Sequence, residues 1–202
     1  MTARDYCMLT LLLNCGMRVS ELVGIDLGDI RDNTLRLLGK GNKERMVYLN
    51  PACLSALENY LKFRKQPETG DDRNALFLSA QHRRMTTRRV EQIVEKYLKA
   101  CGLDGRGYSP HKLRHTAATL MYQHGGVDIR ALKEILGHAN IGTTEIYTHI
   151  SNQMIEQAAN ASPLSTVKRR MNEQELLLRQ LEQDQTSQAE ENPSSDGHNE
   201  PS

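Results

Sequence analysis

The chain has 202 residues, with 26 Lys/Arg against 25 Asp/Glu and a 38% hydrophobic fraction. Its mean hydropathy is −0.59. This suits one compact domain with an appendage. No apolar run approaches the ~20 residues that span a bilayer, and no leader-like pattern opens the chain. Neither a membrane-spanning nor a secreted protein is expected from these features, and a cytoplasmic protein is the expectation.

The formal net charge of +1 conceals an asymmetry. Residues 1–150 hold 22 Lys/Arg against 16 Asp/Glu, and residues 151–202 hold 4 against 9. Only the first part is suited to a polyanion. Four cysteines without C-x-x-C spacing read as reduced thiols. With no Trp and two Phe, the core is expected to be aliphatic.

In chain order, residues 2–15 have the apolar spacing of a helix, interrupted at Gly16. Val19 to Val23 continues as a short helical piece and runs into a polar turn with Asp26, Gly28 and Asp29. The first helix is already core-like, so an upstream portion is expected to be missing. Thr34 to Leu38 and Arg45 to Leu49 suit strands, joined by a Gly39–Glu44 hairpin. Pro51 opens a helix to about Lys65. Ala75 to Leu78 reads as the third strand of a small antiparallel sheet. Thr86 to Cys101 is helical, with Val90, Ile93, Val94, Tyr97 and Leu98 on one face. Ser109-Pro110 starts a helix to about His124. Asp128 caps another to Leu136, and Gly142 to Tyr147 forms a further one. Residues 152–160 are weakly helical before Pro163. Val167 to Leu181 is amphipathic, and the acidic tail from Asp184 is expected to be disordered.

Several polar residues have spacings that suit phosphate chemistry. Arg18 and Glu21 lie one helical turn apart, as do His111 and Arg114. An arginine beside a carboxylate is most often a surface ion pair of little energetic value. Its functional reading is a guanidinium held rigid and aimed at a phosphate. Two of them would stabilise the extra charge of a five-coordinate phosphorus. Lys40, at the hairpin tip between two glycines, could serve as a general acid, with Lys43 and Arg45 as DNA-backbone candidates. The His111/His115 pair has a metal-binding spacing. Lys112 stands where a metalloprotease glutamate would be, and Arg114 inside the pair would repel a cation, so no metal is expected. A histidine can instead carry protons or donate to a phosphate oxygen. For His115 and His124 a structural hydrogen bond is the expectation. Tyr147 alone is one tyrosine among seven.

Taken together, these groups sit in ordered segments: G-M-R-V-S-E-L, G-K-G-N-K-E-R, S-P-H-K-L-R-H-T-A-A-T and L-G-H-A-N-I-G-T-T-E-I-Y-T-H. Over residues 4–160 the chain resembles the tyrosine recombinases of the phage-integrase family, in their Xer-like branch. The resemblance implies an α+β, mostly α-helical catalytic domain with a small three-stranded antiparallel sheet at one edge, over residues 1–162. An extra amphipathic helix (163–183) and a disordered acidic tail (184–202) follow. It implies site-specific recombination of double-stranded DNA with no cofactor. Tyr147 would be the nucleophile, forming a 3′-phosphotyrosyl link. Arg18 and Arg114 would clamp the phosphate, and Lys40 would protonate the leaving oxygen. His111 would act as acid/base, His138 would add a hydrogen bond, and Glu21 would support the site. A homotetrameric synapse is also implied, with a C-terminal helix, here Asn152 to Ala161, docked on a neighbouring protomer. The family's separate N-terminal DNA-grasping domain and opening helix are not found in this sequence. That leaves a second reading, a truncated non-catalytic module that binds DNA or caps full-length relatives. A type IB topoisomerase shares the chemistry but fits the quoted segments less well.

Overall fold

The computed structural model describes residues 1–39, 41–65, 67, 70–124, 132, 136 and 152–169. Met1–Lys168 form one compact unit and Arg169–Ser202 a second. The expected helix at 142–147 and the amphipathic helix and tail beyond residue 169 lie outside the described residues. Of the helix expected from Asp128, only Leu132 and Leu136 are described; both are helical and buried.

Helix α1 (Ala3–Cys15) runs through the centre of the core. The Thr2 side chain accepts from the Asp5 N–H to start it, and Gly16 ends it at φ 59°. That left-handed conformation favours a residue without Cβ. Cys7, Met8, Leu11, Leu12 and Cys15 are all buried along it. After α2 (Val19–Gly24) comes a three-stranded antiparallel sheet in the order β1 (Ile30–Arg31), β2 (Thr34–Leu38), β3 (Glu44–Tyr48). Leu35 faces Val47 in register. With Leu37 these side chains point into the core, as the two-residue period of a strand requires.

Helix α3 (Pro51–Phe63) is capped by Asn50, whose side chain accepts from the Cys53 N–H. Thr86 caps α4 (Thr87–Ala100) in the same way through the Arg89 N–H. Val90, Ile93 and Val94 of α4 are buried, and Tyr97 and Leu98 pack against the same core. Helix α5 (Pro110–His124) lies against α1. Met121 of α5 forms a second apolar cluster with Leu132, Leu136 and Ala158.

One expectation is revised. The third strand is Ile30–Arg31, paired with Thr34 and Leu35 across a tight turn at Asp32 (φ 51°), and not Ala75–Leu78. Residues 75–78 make only isolated bridges, Asp26 to Ala75 and Leu78 to Arg84. All four side chains are buried, so the segment threads the core. Its continuous apolarity gives no two-residue period from which to infer a sheet. The first compact unit runs to Lys168. Ser165 O accepts from the Ala52 N–H at 2.7 Å, and Val167 O from the Tyr6 hydroxyl at 3.2 Å.

Helix α6 (Asn152–Asn160) packs on α5 and β3 of its own chain. A buried amide pair receives its end. Asn50 Nδ2 donates to Asn14 Oδ1 at 2.8 Å and to Ala159 O at 3.0 Å. Three cysteines, Cys7, Cys15 and Cys53, are buried and free, with Cys15 Sγ 3.9 Å from Cys53 Sγ; Cys101 is exposed. Burial pushes the Cys7 thiol far above its ordinary range.

Candidate functional site

The site is assembled where α1 ends. Gly16 turns the chain out of the helix, and Arg18 becomes the residue preceding α2. Glu21, in the first turn of α2, reaches back so that Oε2 accepts from the Arg18 N–H at 2.7 Å. This satisfies a donor left open at every helix start. Its Oε1 accepts from Arg18 Nη1 at 2.9 Å. The spacing of Arg18 and Glu21 thus produces the ion pair expected, with its carboxylate buried and its guanidinium partly open to solvent. The Glu21 side chain is 2% exposed, the Arg18 side chain 38%.

A second arginine reaches the same carboxylate from the sheet. Arg45 Nη1 and Nη2 donate to Glu21 Oε1 and Oε2 at 2.6 and 2.8 Å. This is the bidentate fork that guanidinium and carboxylate planes favour. Arg45 was expected as a DNA-backbone contact. Here its guanidinium turns inward onto Glu21, and its side chain is only 12% exposed. Lys43, the other backbone candidate, is exposed. Lys40 lies outside the described residues. Gly39 beside it donates to Lys43 O at 2.8 Å, closing the 39–43 hairpin.

Arg114 arrives from α5. Within that helix Arg114, Ala117 and Met121 are buried, so the arginine lies on the face turned to α1. Nη1 donates to Gly16 O at 2.6 Å and Nη2 to Leu136 O at 2.5 Å. These bonds fix the guanidinium between the end of α1 and Leu136, two positions before His138 in the chain. Nη1 also stands 4.0 Å from Glu21 Oε2. Three arginines from α2's start, β3 and α5 therefore converge on one buried carboxylate.

Burial would raise the Glu21 carboxyl, but hydrogen bonds from Arg45 and Arg18 outweigh it and hold the group below its ordinary value. Arg114 is pushed down to about 10, chiefly by burial, then by the repulsion of Arg18 and Arg45. It remains a cation at neutral pH. An anion placed beside Arg18 and Arg114 would be attracted by both guanidinium groups.

His111 is exposed, one turn before Arg114. Its Nε2 lies 3.0 Å from Nε2 of His115, with the rings edge to face at 4.5 Å between centroids. Among the described residues no group of three or more His, Cys, Asp or Glu could hold a metal ion. His138 and Tyr147 lie outside the described residues. The structure thus brings together Arg18, Glu21 and Arg114, and His111 is exposed on the helix that carries Arg114. One feature escapes sequence reasoning: the role of Arg45 as a partner of Glu21. The arginine at the end of G-K-G-N-K-E-R was a usable signal for it. The contact between His115 and His111 is of the hydrogen-bonding kind expected for His115.

The phage integrase family matches residues 1–154. The chain is 53% identical over 163 residues to tyrosine recombinase XerC of Caldanaerobacter subterraneus subsp. tengcongensis, covering 80% of this chain and 46% of that protein. Tyrosine recombinase XerD of Proteus mirabilis is 40% identical over 156 residues, 76% of this chain and 50% of that one. The chain thus spans about half the length of the curated relatives it matches. Among solved structures it is similar to the XerA recombinase, at 34% identity and a TM-score of 0.62, covering 77% of this chain and 55% of that one. It is also similar to the XerH site-specific recombinase in a pre-cleavage complex with its difH substrate. There the identity is 30% and the TM-score 0.59, over 78% of this chain and 46% of that one.

Proposed function

The chain belongs to the phage integrase family, and from that premise we propose that it carries the chemistry of site-specific DNA recombination: cleavage and rejoining through a 3′-phosphotyrosyl intermediate. The Tyr147 oxygen attacks the scissile phosphorus, the bond from phosphorus to the 5′ oxygen breaks, and a 5′-hydroxyl strand end departs. Arg18 and Arg114 bind the non-bridging oxygens and stabilise the charge that develops on them. Lys40 gives its proton to the departing oxygen. His111 takes the tyrosine proton and returns it on rejoining, while His138 adds a hydrogen bond to the phosphate. The covalent link conserves the energy of the broken ester, so the reaction requires no nucleotide or metal.

The observation that carries this reading is the convergence of Arg18 and Arg114 on Glu21, with Arg114 buried on the face of its helix turned to α1. A surface ion pair would need neither the burial nor the second arginine. The partner is double-stranded DNA in the cytoplasm, with copies of the chain assembled as a tetramer across two sites. No helix among the described residues is long and apolar enough to cross a membrane.

The test is trapping of a covalent adduct. The chain is incubated with nicked duplexes randomised around the break, and adducts are resolved on a denaturing gel and sequenced. An adduct with the parent chain and none with Tyr147→Phe is expected. The same yield from both proteins removes Tyr147 as nucleophile. DNA binding without any adduct favours the non-catalytic module.

A further inference from the structure

Arg45 has no assigned part in the chemistry above, yet it is the most tightly engaged arginine of the cluster. Both terminal nitrogens bind both oxygens of Glu21, and the two side chains are 12% and 2% exposed. Little water competes for either group, so the pair holds one geometry. Arg45 stands on β3 just beyond Lys43, whose carbonyl closes the hairpin by accepting from the Gly39 N–H. Gly39 itself lies on the ion pair. A Cβ placed there would sit 3.5 Å from Glu21 Oε1 and 3.9 Å from Arg45 Nη1. Glu21 in turn holds the backbone and side chain of Arg18.

We propose that Arg45 is a positioning residue: through Glu21 it fastens the base of the 39–43 hairpin to the segment bearing Arg18, and so fixes the attachment point of Lys40. The inference rests on the proposed reading of the site as a DNA-cleaving centre. Lys40 follows Gly39 directly, one Cα step of about 3.8 Å from a residue seated on the Glu21–Arg45 pair. A general acid works only within hydrogen-bond reach of the atom it protonates. A displacement of about 1 Å at such a group can cost 100-fold in rate. Loss of Arg45 therefore impairs proton delivery to the leaving oxygen and leaves DNA affinity unchanged. This differs from a DNA-backbone role, in which Arg45 would add to binding and to its salt dependence.

The experiment varies the leaving group. Sequences selected by covalent capture with the parent chain are resynthesised with either oxygen or sulfur bridging phosphorus and the 5′ carbon. A thiolate departs without a proton, so the sulfur substrate bypasses the general acid. For Arg45→Leu, cleavage of the oxygen substrate is expected to fall roughly 10- to 100-fold. Cleavage of the sulfur substrate is expected to fall by less than about threefold, with DNA affinity and its salt slope unchanged. Arg45→Lys keeps the charge but not the fork. It is expected to lose less on oxygen and nothing on sulfur, and it carries the comparison if thermal melting shows Arg45→Leu to be unfolded.

Equal losses on both substrates overturn the proposal, because Arg45 would then serve the phosphate clamp or the fold at large. No loss on oxygen overturns it as well. Weaker DNA binding with a shallower salt slope returns Arg45 to the backbone role. A parent chain that forms no adduct with either substrate overturns the reading of the site, and this inference with it.

Discussion

Glu21 is the residue on which the site's electrostatics turn. Its carboxyl is held below the ordinary value of 4.5 by Arg45 and Arg18 against the effect of burial. A carboxylate depressed in the folded state contributes stability above its unfolded pKa and loses it as pH falls through the folded value. Glu21→Gln is therefore expected to cost roughly 2–4 kcal/mol near neutral pH, because it strands buried guanidinium charge. That difference from the parent should shrink over the acid range, as pH falls below the ordinary value of 4.5 and through the parent's lower folded one, where its own carboxylate becomes protonated. Urea midpoints of both proteins across that range check it; a pH-independent difference would show that the carboxylate's charge is not what stabilises. Arg114→Ala should abolish the adduct, and it leaves the Gly16 and Leu136 carbonyls without their donor. The His111–His115 contact frames a different check. If the two imidazoles only share a proton, a chelator leaves adduct yield unchanged; inhibition would indicate a metal bridging them.

At the scale of elements, the break after α1 is the critical joint. Gly16 is at φ 59°, and a Cβ there would stand 2.8 Å from Leu136 Cδ2. Gly16→Ala thus meets both backbone strain and a clash, costing roughly 1–3 kcal/mol. Because the Gly16 carbonyl holds Arg114, cleavage should fall as well, more than stability alone would cause under conditions where the variant stays folded. Asn50→Ala removes the cap of α3 and the amide that receives α6. The cap alone is worth about 1 kcal/mol, and amide hydrogen exchange should rise selectively at the end of α6. Unchanged exchange there would show that the Asn50 contact does not hold the helix.

These joints also mark how far the sequence is legible. The helices are readable because their starts carry local chemistry: Thr2, Thr86 and the Ser109-Pro110 pair each lie beside the donors they cap or the turn they begin. The hairpin is readable from Gly39 and Gly41 between two short strands. Ala75–Leu78 is not, because a segment buried on every side has no polar alternation to reveal its orientation. Nor is a two-residue strand such as Ile30–Arg31, too short to carry a period. In the site, Arg18, Glu21 and Arg114 are individually legible from spacing and from ordered motifs. Their meeting, and the turning of Arg45 onto Glu21, depend on tertiary packing that local spacing does not encode.

At the scale of the whole molecule, charge is segregated along the chain. The excess of Lys/Arg lies in residues 1–150 and the excess of Asp/Glu beyond them. DNA affinity is expected to fall linearly in log–log against salt, with a slope set by the number of phosphates neutralised. Truncation after Lys168 should strengthen binding at low salt by removing the acidic segment, an effect that fades as screening shortens the reach of its charges. Titrations of both lengths at two ionic strengths check this. Equal affinities at low salt would mean the acidic segment does not oppose DNA.

The distribution of sulfur makes the chain its own clock. Cys101 is open to solvent while Cys7, Cys15 and Cys53 are sealed in the core around α1 and α3. A thiol reagent in excess should consume one equivalent at once and three more only as fast as molecules open. The delayed equivalents report core opening at the helix that leads into Arg18. Variants can thus be ranked by lifetime, with no denaturant and no DNA, before any substrate sequence has been selected.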